Sequence, residues 1–272
     1  VMPANSAWII ATYGWREAFM TYGLITFLVV VPVVLRFVIS RPEDVGLLPD
    51  GATEKGVLPP PKPALRTRDF LSQPNFWILL TVIGLLFGIQ SATLIHMVPQ
   101  LTDSGLSLVA ASGIASATAG FGIAGKLIFG VLVDRWDVRH ALWLGIGFQF
   151  VGHLVMLFVE GYSGFLLGAC MFGFGMGGVV PMQGAVVGAA FGRESFGRVL
   201  GAMRPPMAIL HLAGTPFAGW VYDVTGSYRP AFLTFLALYL LTALIVLALK
   251  VETRSKNRAR KPAGDPNESA IN

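Results

Sequence analysis

The amino-acid sequence predicts an all-α integral membrane protein, and three observations lead to that fold class. Hydrophobic residues make up 54% of the chain and charged residues only 13%, about half the charged share of a soluble domain. Seven apolar stretches are each long enough for a helix that crosses a bilayer, which takes about 20 residues. Residues 3–19 also resemble residues 216–232, since both segments have Pro, Arg and Ala-Phe at the same spacing. A repeat of this length is typical of two homologous helical bundles.

The spans follow from the apolar stretches, taken in order along the chain. We place the seven full spans at residues 18–39, 75–98, 107–132, 141–159, 163–191, 199–221 and 229–250. Residues 1–12 are interpreted as the outer end of an eighth span. Short polar turns separate most of the spans, as expected for helices that return directly through the bilayer.

The distribution of Lys and Arg predicts the orientation of these spans. When alternate helix ends are assigned to opposite sides, every Lys and Arg except Arg16 and Arg229 falls on one side. Cytoplasmic loops carry such an excess, so this side and the C-terminus are predicted to be cytoplasmic, in a multi-pass protein of the cell membrane. Because the basic residues mark topology, nucleic acid is not expected as a partner, whereas the lipid bilayer is.

Composition also predicts the domain boundaries. Residues 40–74 are polar and contain a proline run, which favours a flexible cytoplasmic loop between two bundles. Residues 1–39 are then the end of the first bundle, and residues 75–250 are the second bundle of six helices. Residues 251–272 are charged and poor in apolar residues, which predicts a disordered cytoplasmic tail.

One motif at the cytoplasmic end of the span 107–132 combines glycines, an aspartate and basic residues. Its members are Gly125, Lys126, Gly130, Asp134, Arg135 and Arg139. Glycines allow two helices to approach closely, and arginines can bind neighbouring polar groups. The motif resembles the signature loop of the major facilitator superfamily, between the second and third helices of each half. The resemblance implies a latch, which Arg198 joins, that forms in one conformation and breaks in another. The alternative is an ordinary basic loop that fixes topology.

The resemblance to this superfamily covers essentially the whole sequence and implies its fold. The seven spans would be helices six to twelve, and residues 1–12 would end helix five. The chain would therefore hold the second six-helix bundle and the last one and a half helices of the first, as a fragment of a longer protein. The missing N-terminal helices of that protein are then an implied partner, and Asp134 would pair with the cytoplasmic end of helix five.

Three further segments resemble one branch of the superfamily, the oxalate/formate and monocarboxylate transporters. They are Arg41–Gly51, His96–Gly105 and Gly214–Tyr228. Gly14, Trp15 and Arg16 are similar to the usual corner between helices five and six. The resemblance implies a small organic anion as substrate.

Polar residues inside the predicted spans identify the candidate substrate cavity, because polar groups in the bilayer usually face the bundle interior. Arg204 and His211 are seven residues apart and share one helix face. Arg204 could clamp a carboxylate beside the kink expected at Pro205 and Pro206, or it could extend to the lipid headgroups. His211 could line the cavity or bond to a neighbouring carbonyl.

Two amides complete the candidate cavity. Gln90 and Gln183 lie on helices that line the central path in this superfamily, and either could bind substrate or bond another helix. His153 falls in a helix that is peripheral in this fold, so a structural role is expected. The predicted spans contain no acidic residue, so a coupling proton would bind to His211 or to a carboxylate in the missing helices.

These features predict a secondary active transporter that moves a monocarboxylate-like anion by alternating access, either in exchange for another solute or together with a proton as the coupling ion. A proton-coupled drug or metabolite exporter of the same fold is the alternative. An integral-membrane enzyme is the remote one, because the four histidines are scattered and none is paired at metal-ligand spacing. No catalytic residue, metal or cofactor is expected.

Overall fold

The computed structural model describes residue 9, residues 12–38 and residues 64–250 of the chain. Within these ranges every regular element is helical. They fall into two units that divide within the predicted central loop, and the last part of that loop is a short helix of the second unit. Most of the predicted residues 1–12, most of the loop, the segment Arg41–Gly51 and the tail 251–272 lie outside the described residues.

Among its described residues, the first unit contains one long apolar helical segment, from Trp15 to Phe37. It consists of α1 (Trp15–Ile25), a π-helical turn (Thr26–Val30) and α2 (Val31–Phe37). Gly14 precedes it with a φ of 97°, a backbone conformation that glycine adopts without steric cost. The helix therefore begins directly after Gly14, at the position where the sequence predicts a corner.

The second unit contains the remaining helices. They are α3 (Thr67–Leu71), α4 (Pro74–Asp103), α5 (Leu108–Arg135), α6 (Val138–Phe158), α7 (Tyr162–Gly177), α8 (Val179–Phe191), a 3-10 turn (Arg193–Ser195), α9 (Phe196–Thr225) and α10 (Arg229–Leu247). Each predicted span in this unit is confirmed as helical. The span 163–191 is divided between α7 and α8 at Gly178, within the glycine run before Pro181.

Six helical segments in the described part of the chain are long and apolar enough to cross a membrane. The sequence predicted seven, and α9 is the difference. With 30 residues α9 has the length to cross, but Arg198, Arg204 and three internal prolines lower its apolarity. The helix also continues through Pro205, Pro206 and Pro216 without interruption.

Close backbone contacts determine how the second unit packs. The helix α4 pairs with α9, while α7 lies between α5 and α6 and α10 contacts α6 and α4. On α7, a Cβ at Gly173 would strike the carbonyl of Thr118 on α5, and one at Gly175 would lie 2.6 Å from the carbonyl of Gly145 on α6. Small residues at crossings allow this approach in a membrane protein, where burial of apolar surface provides little force between helices.

Not every glycine predicted to mediate packing does so. Gly125 of the motif is packed, since its Cβ would collide with the carbonyl of Phe174, whereas Gly130 has nothing within 4 Å. The four-residue spacing of Gly184, Gly188 and Gly192, and of Gly197 and Gly201, also predicts close helix packing. Within the described unit this prediction is wrong. Nothing lies within 4 Å of the Cβ positions of Gly184, Gly188, Gly192, Gly197 and Gly201.

Candidate functional site

An open pocket of about 290 Å³ lies between α4 and α9. It is lined by Phe87, Gln90, Ser91, Leu94, Ile95 and His211. Two of the four residues that the sequence predicted for a substrate cavity, Gln90 and His211, are therefore brought together. In the described part of the chain, Gln183 and Arg204 lie outside this lining.

The position of His211 depends on contact between the two helix backbones. A Cβ on Gly88 would lie 2.6 Å from the carbonyl oxygen of Leu210, the residue before His211. One turn further along, a Cβ on Gly214 would collide with the carbonyl of Gly88. The imidazole of His211 consequently stacks on the ring of Phe87, with centroids 5.8 Å apart and planes inclined by 20°.

Toward the C-terminal end of α4, next to the pocket, polar contacts connect α4 to α9. The hydroxyl oxygens of Ser91 and Thr215 are 3.2 Å apart. Nε2 of His96 lies 3.1 Å from the carbonyl of Thr215, which can only accept, so Nε2 is the protonated nitrogen. Nδ1 of His96 lies 3.3 Å from the hydroxyl of Tyr228. His96 thus connects the outer part of α4 to α9 and to the start of α10.

The amide nitrogen of Gln90 belongs to a buried hydrogen-bond network that the sequence did not predict. Nε2 of Gln90 donates to Oε1 of Gln149 at 2.9 Å, and Nε2 of Gln149 donates to the carbonyl of Gly145 at 3.2 Å. The Tyr239 hydroxyl lies 3.5 Å from Gln149 Oε1. The sequence does contain one signal for this network: Gln149 and His153 are four residues apart, so two polar side chains lie on one face of α6.

His153 is fully buried next to this network. Its Nε2 lies 2.9 Å from Oγ1 of Thr93, and its Nδ1 lies 3.2 Å from the carbonyl of Gln149. The rings of Phe172 and Phe232 pack around the imidazole, at centroid distances of 4.9 Å and 5.3 Å. These contacts place His153 in the helix interface, in keeping with the structural role expected for it.

The two remaining cavity candidates lie elsewhere on the unit. Arg204 is exposed on α9, two helical turns before His211 and therefore about 10 Å away along the axis. No hydrogen bond or ion pair joins Arg204 to another described residue. Gln183 is half-buried on α8, and its Nε2 approaches Sδ of Met207 on α9 at 3.7 Å. Gln183 therefore contacts α9, the helix that carries His211, but is not part of the pocket lining.

Three residues of the predicted latch, Asp134, Arg135 and Arg139, lie at the corner between α5 and α6. Lys126, Asp134 and Arg135 are exposed. Arg139 forms an ion pair with Asp137, at 2.9 Å between Nη2 and Oδ2. Asp137 also accepts from the backbone N–H of Arg139 at 2.9 Å. The hydrogen bond from the Arg139 side chain lowers the pKa of the Asp137 carboxyl.

Arg198, the last member of the predicted latch, contacts the segment that leads into the second unit. Its Nη1 donates to the carbonyl of Leu65 at 2.7 Å. The N–H of Leu65 donates to Oγ of Ser195 at 2.9 Å. These two bonds attach the backbone before α3 to the beginning of α9.

Comparison with known proteins agrees with this architecture. The family model of the Major Facilitator Superfamily matches residues 1–204 and 122–272. Monocarboxylate transporter 12-B of Danio rerio is 25% identical over 247 residues, which cover 82% of this chain and 52% of that protein. Human monocarboxylate transporter 11 is 27% identical over 252 residues, covering 89% of this chain and 51% of that protein.

A solved structure shows the same fold. The crystal structure of the E. coli fucose:proton symporter matches with a TM-score of 0.56 at 15% identity, over 68% of this chain and 45% of that one. The chain thus spans about half the length of these relatives. The predicted fold and the predicted resemblance to monocarboxylate transporters are both confirmed. The chain belongs to the major facilitator superfamily, as a multi-pass membrane protein of its transporter fold.

Proposed function

We propose that this chain is the second bundle, with the last helices of the first, of a secondary active transporter for a small monocarboxylate-like anion. The transporter works by alternating access in the cell membrane, with its C-terminus in the cytoplasm. One observation carries the proposal: Gln90 and His211 meet in one pocket between α4 and α9. The names of the relatives, which are monocarboxylate transporters, support the class of substrate.

The size and lining of the pocket fit a small anion. Its volume of about 290 Å³ is at the lower end for ligand sites, which hold drug-sized molecules at about 300–1,000 Å³. Leu94, Ile95 and Phe87 provide apolar walls for a short carbon chain. The protonated imidazole of His211 would pair with the carboxylate, and the amide of Gln90 would orient the ligand through a hydrogen bond. An exporter of large drugs would need a wider cavity from the two bundles together.

His211 is also the group that we propose for proton coupling. Histidine side chains commonly relay protons in membrane carriers, and His211 lines the pocket. The proton would bind with the anion and leave with it, which makes the cycle a symport of anion and proton. The name of the fucose:proton symporter supports a proton as coupling ion.

The cytoplasmic motif would regulate which side of the transporter is open. We assign Gly125 to helix contact and the exposed Asp134 and Arg135 to the latch. Arg198 would act through the backbone of Leu65, at the end of the loop between the bundles. In the same proposal, the first bundle ends at residue 39, the central loop ends at residue 74 and the second bundle ends at residue 250.

The proposal is tested in proteoliposomes that contain the complete transporter. Uptake of radiolabelled propionate is measured with and without an inward proton gradient. We expect the gradient to stimulate uptake, and His211→Asn to abolish the stimulation because asparagine cannot bind a proton. The matched control is His140→Asn, since His140 is exposed near the start of α6 and away from the pocket. Stimulation of the His211→Asn variant at the wild-type level would contradict the proposed coupling.

A further inference from the structure

The orientation of the Gln149 side chain is determined by a backbone carbonyl. An amide side chain can turn over and exchange its nitrogen and oxygen, so its orientation must follow from its partners. One partner of Gln149 is the carbonyl of Gly145, which can only accept a hydrogen bond. Nε2 of Gln149 must therefore be directed at Gly145, and Oε1 must be directed at Gln90.

This order determines which end of Gln90 faces the pocket. Because Oε1 of Gln149 can only accept, Gln90 must approach it with Nε2. The Oε1 of Gln90 is then left without a hydrogen bond to another described residue, yet no buried side-chain polar atom in the described part of the chain lacks a partner. Oε1 of Gln90 is consequently accessible, and Gln90 lines the pocket beside His211. The pocket thus contains an acceptor oxygen with a defined direction.

Three helices hold Gln149 in this arrangement. Gln149 is fully buried on α6. On α7, a Cβ at Gly175 would lie 2.6 Å from the Gly145 carbonyl and 2.9 Å from Cγ of Gln149, so the absence of a side chain there leaves room for both. On α10, the hydroxyl of Tyr239 approaches Oε1 of Gln149.

We propose that Gln149 is a positioning residue for substrate selection: it holds Gln90 so that an acceptor faces the ligand, which favours anions that carry a hydrogen-bond donor. The inference rests on the proposed transport function of the same pocket. A hydroxyl beside the carboxylate can donate to Oε1 of Gln90, whereas a ligand without that hydroxyl leaves the oxygen unpaired. Removal of Gln149 frees the Gln90 amide to turn over, and the pocket then offers either a donor or an acceptor.

The test uses two anions that differ by one hydroxyl group, 2-hydroxypropionate and propionate. Uptake of each is measured in proteoliposomes with the complete wild-type transporter and with Gln149→Met, which keeps the side-chain length and removes both hydrogen bonds. We expect the wild type to prefer 2-hydroxypropionate, and Gln149→Met to reduce that preference about three- to tenfold. The change should appear as a rise in the KM for 2-hydroxypropionate relative to the KM for propionate.

Two further variants separate positioning from a structural role. Gln149→Glu retains an oxygen that accepts from Gln90, and its protonated carboxyl can still donate to Gly145, so the preference should be largely restored. Thr242→Val on α10 is the control, because this buried hydroxyl donates only to the Leu238 carbonyl of its own helix. The preference should be unchanged in the control.

The outcomes distinguish this inference from the proposed function. An equal loss of uptake for both acids in Gln149→Met, with the preference intact, would overturn the positioning role. So would a Gln149→Glu variant that inserts normally and lacks the preference, which decides the question if Gln149→Met fails to insert. A failure of the proposed function would instead be seen in the wild type, as no uptake of either acid.

Discussion

A Cβ added at Gly214 would collide with the carbonyl oxygen of Gly88, so α4 and α9 are in direct backbone contact beside the pocket. This contact places His211 opposite Phe87 and within the same lining as Gln90. The chemistry proposed for the pocket therefore depends on two residues that have no side chain.

We predict that Gly88→Ala and Gly214→Ala destabilise the transporter by about 1–3 kcal/mol, the usual cost of overpacking. The added methyl groups would meet backbone atoms, which cannot change rotamer. The intrinsic helix preference of alanine, about 1 kcal/mol over glycine, offsets only part of this cost. Melting in detergent, followed by size-exclusion chromatography after heating, measures the effect.

Gly184→Ala on α8 is the matched control for these variants. Nothing lies within 4 Å of its Cβ position, so only the helix preference remains and the stability should stay constant or rise. A Gly88→Ala variant as stable as Gly184→Ala would contradict the close contact between α4 and α9.

Arg204→Gln should lower the kcat/KM for propionate about tenfold if Arg204 binds the anion on its way to His211, since bonds to charged groups contribute about 1.5–3 kcal/mol. Arg204→Lys should recover part of the loss, because lysine keeps the charge and lacks the paired donors of arginine. Uptake assays and a measure of membrane insertion are made on the same preparations. Wild-type uptake by Arg204→Gln would assign the side chain to the lipid headgroups.

Asp137→Asn should lower stability by no more than about 1 kcal/mol near neutral pH. Asp137 caps α6 and pairs with Arg139, but the Arg139 side chain is 38% exposed and solvent screens such a pair. Asparagine also remains a good N-cap. Thermal melting of both proteins measures the difference.

The pH dependence of this difference has a defined sign. The pKa of Asp137 is lower in the folded protein than the ordinary value of 3.8. Its contribution to stability is therefore complete above about pH 5 and is lost as the pH falls below about 4, through the lowered pKa. We expect the melting difference between wild type and Asp137→Asn to shrink over that acidic interval. A difference that grows on acidification would exclude the ion pair as its cause.

A lost hydrogen bond at the outer corner gives a fourth prediction. Tyr228→Phe removes the hydroxyl that lies 3.3 Å from Nδ1 of His96 and keeps the stacking on Tyr222, at 4.4 Å between centroids. We expect a loss of about 1 kcal/mol, read as a lower melting temperature. The control is Tyr162→Phe, because Tyr162 is exposed at the start of α7. Equal melting temperatures for the two variants would contradict a stabilising hydrogen bond between Tyr228 and His96.

The helices could be predicted because a membrane span must satisfy its backbone internally, so that about 20 apolar residues leave little choice but a helix. The cost of polar groups in lipid led us to consider Gln90 and His211 together, and both line one pocket, while their role in binding substrate stays a prediction. Gln149 was missed because its importance comes from facing Gln90 across two helices, and no local pattern gives that pairing. Close packing at Gly184 and Gly188 was predicted wrongly for the same reason. Their spacing defines a helix face, but it does not say which element lies against that face.

The alternating glycines of α7 have a mechanical consequence. Gly173 is seated under a carbonyl of α5 and Gly175 under a carbonyl of α6, so each contact exists at only one axial setting. The next equivalent setting is a full helical turn away, about 5.4 Å. We therefore expect sliding between these three helices to be resisted, so that α5, α6 and α7 move together during transport.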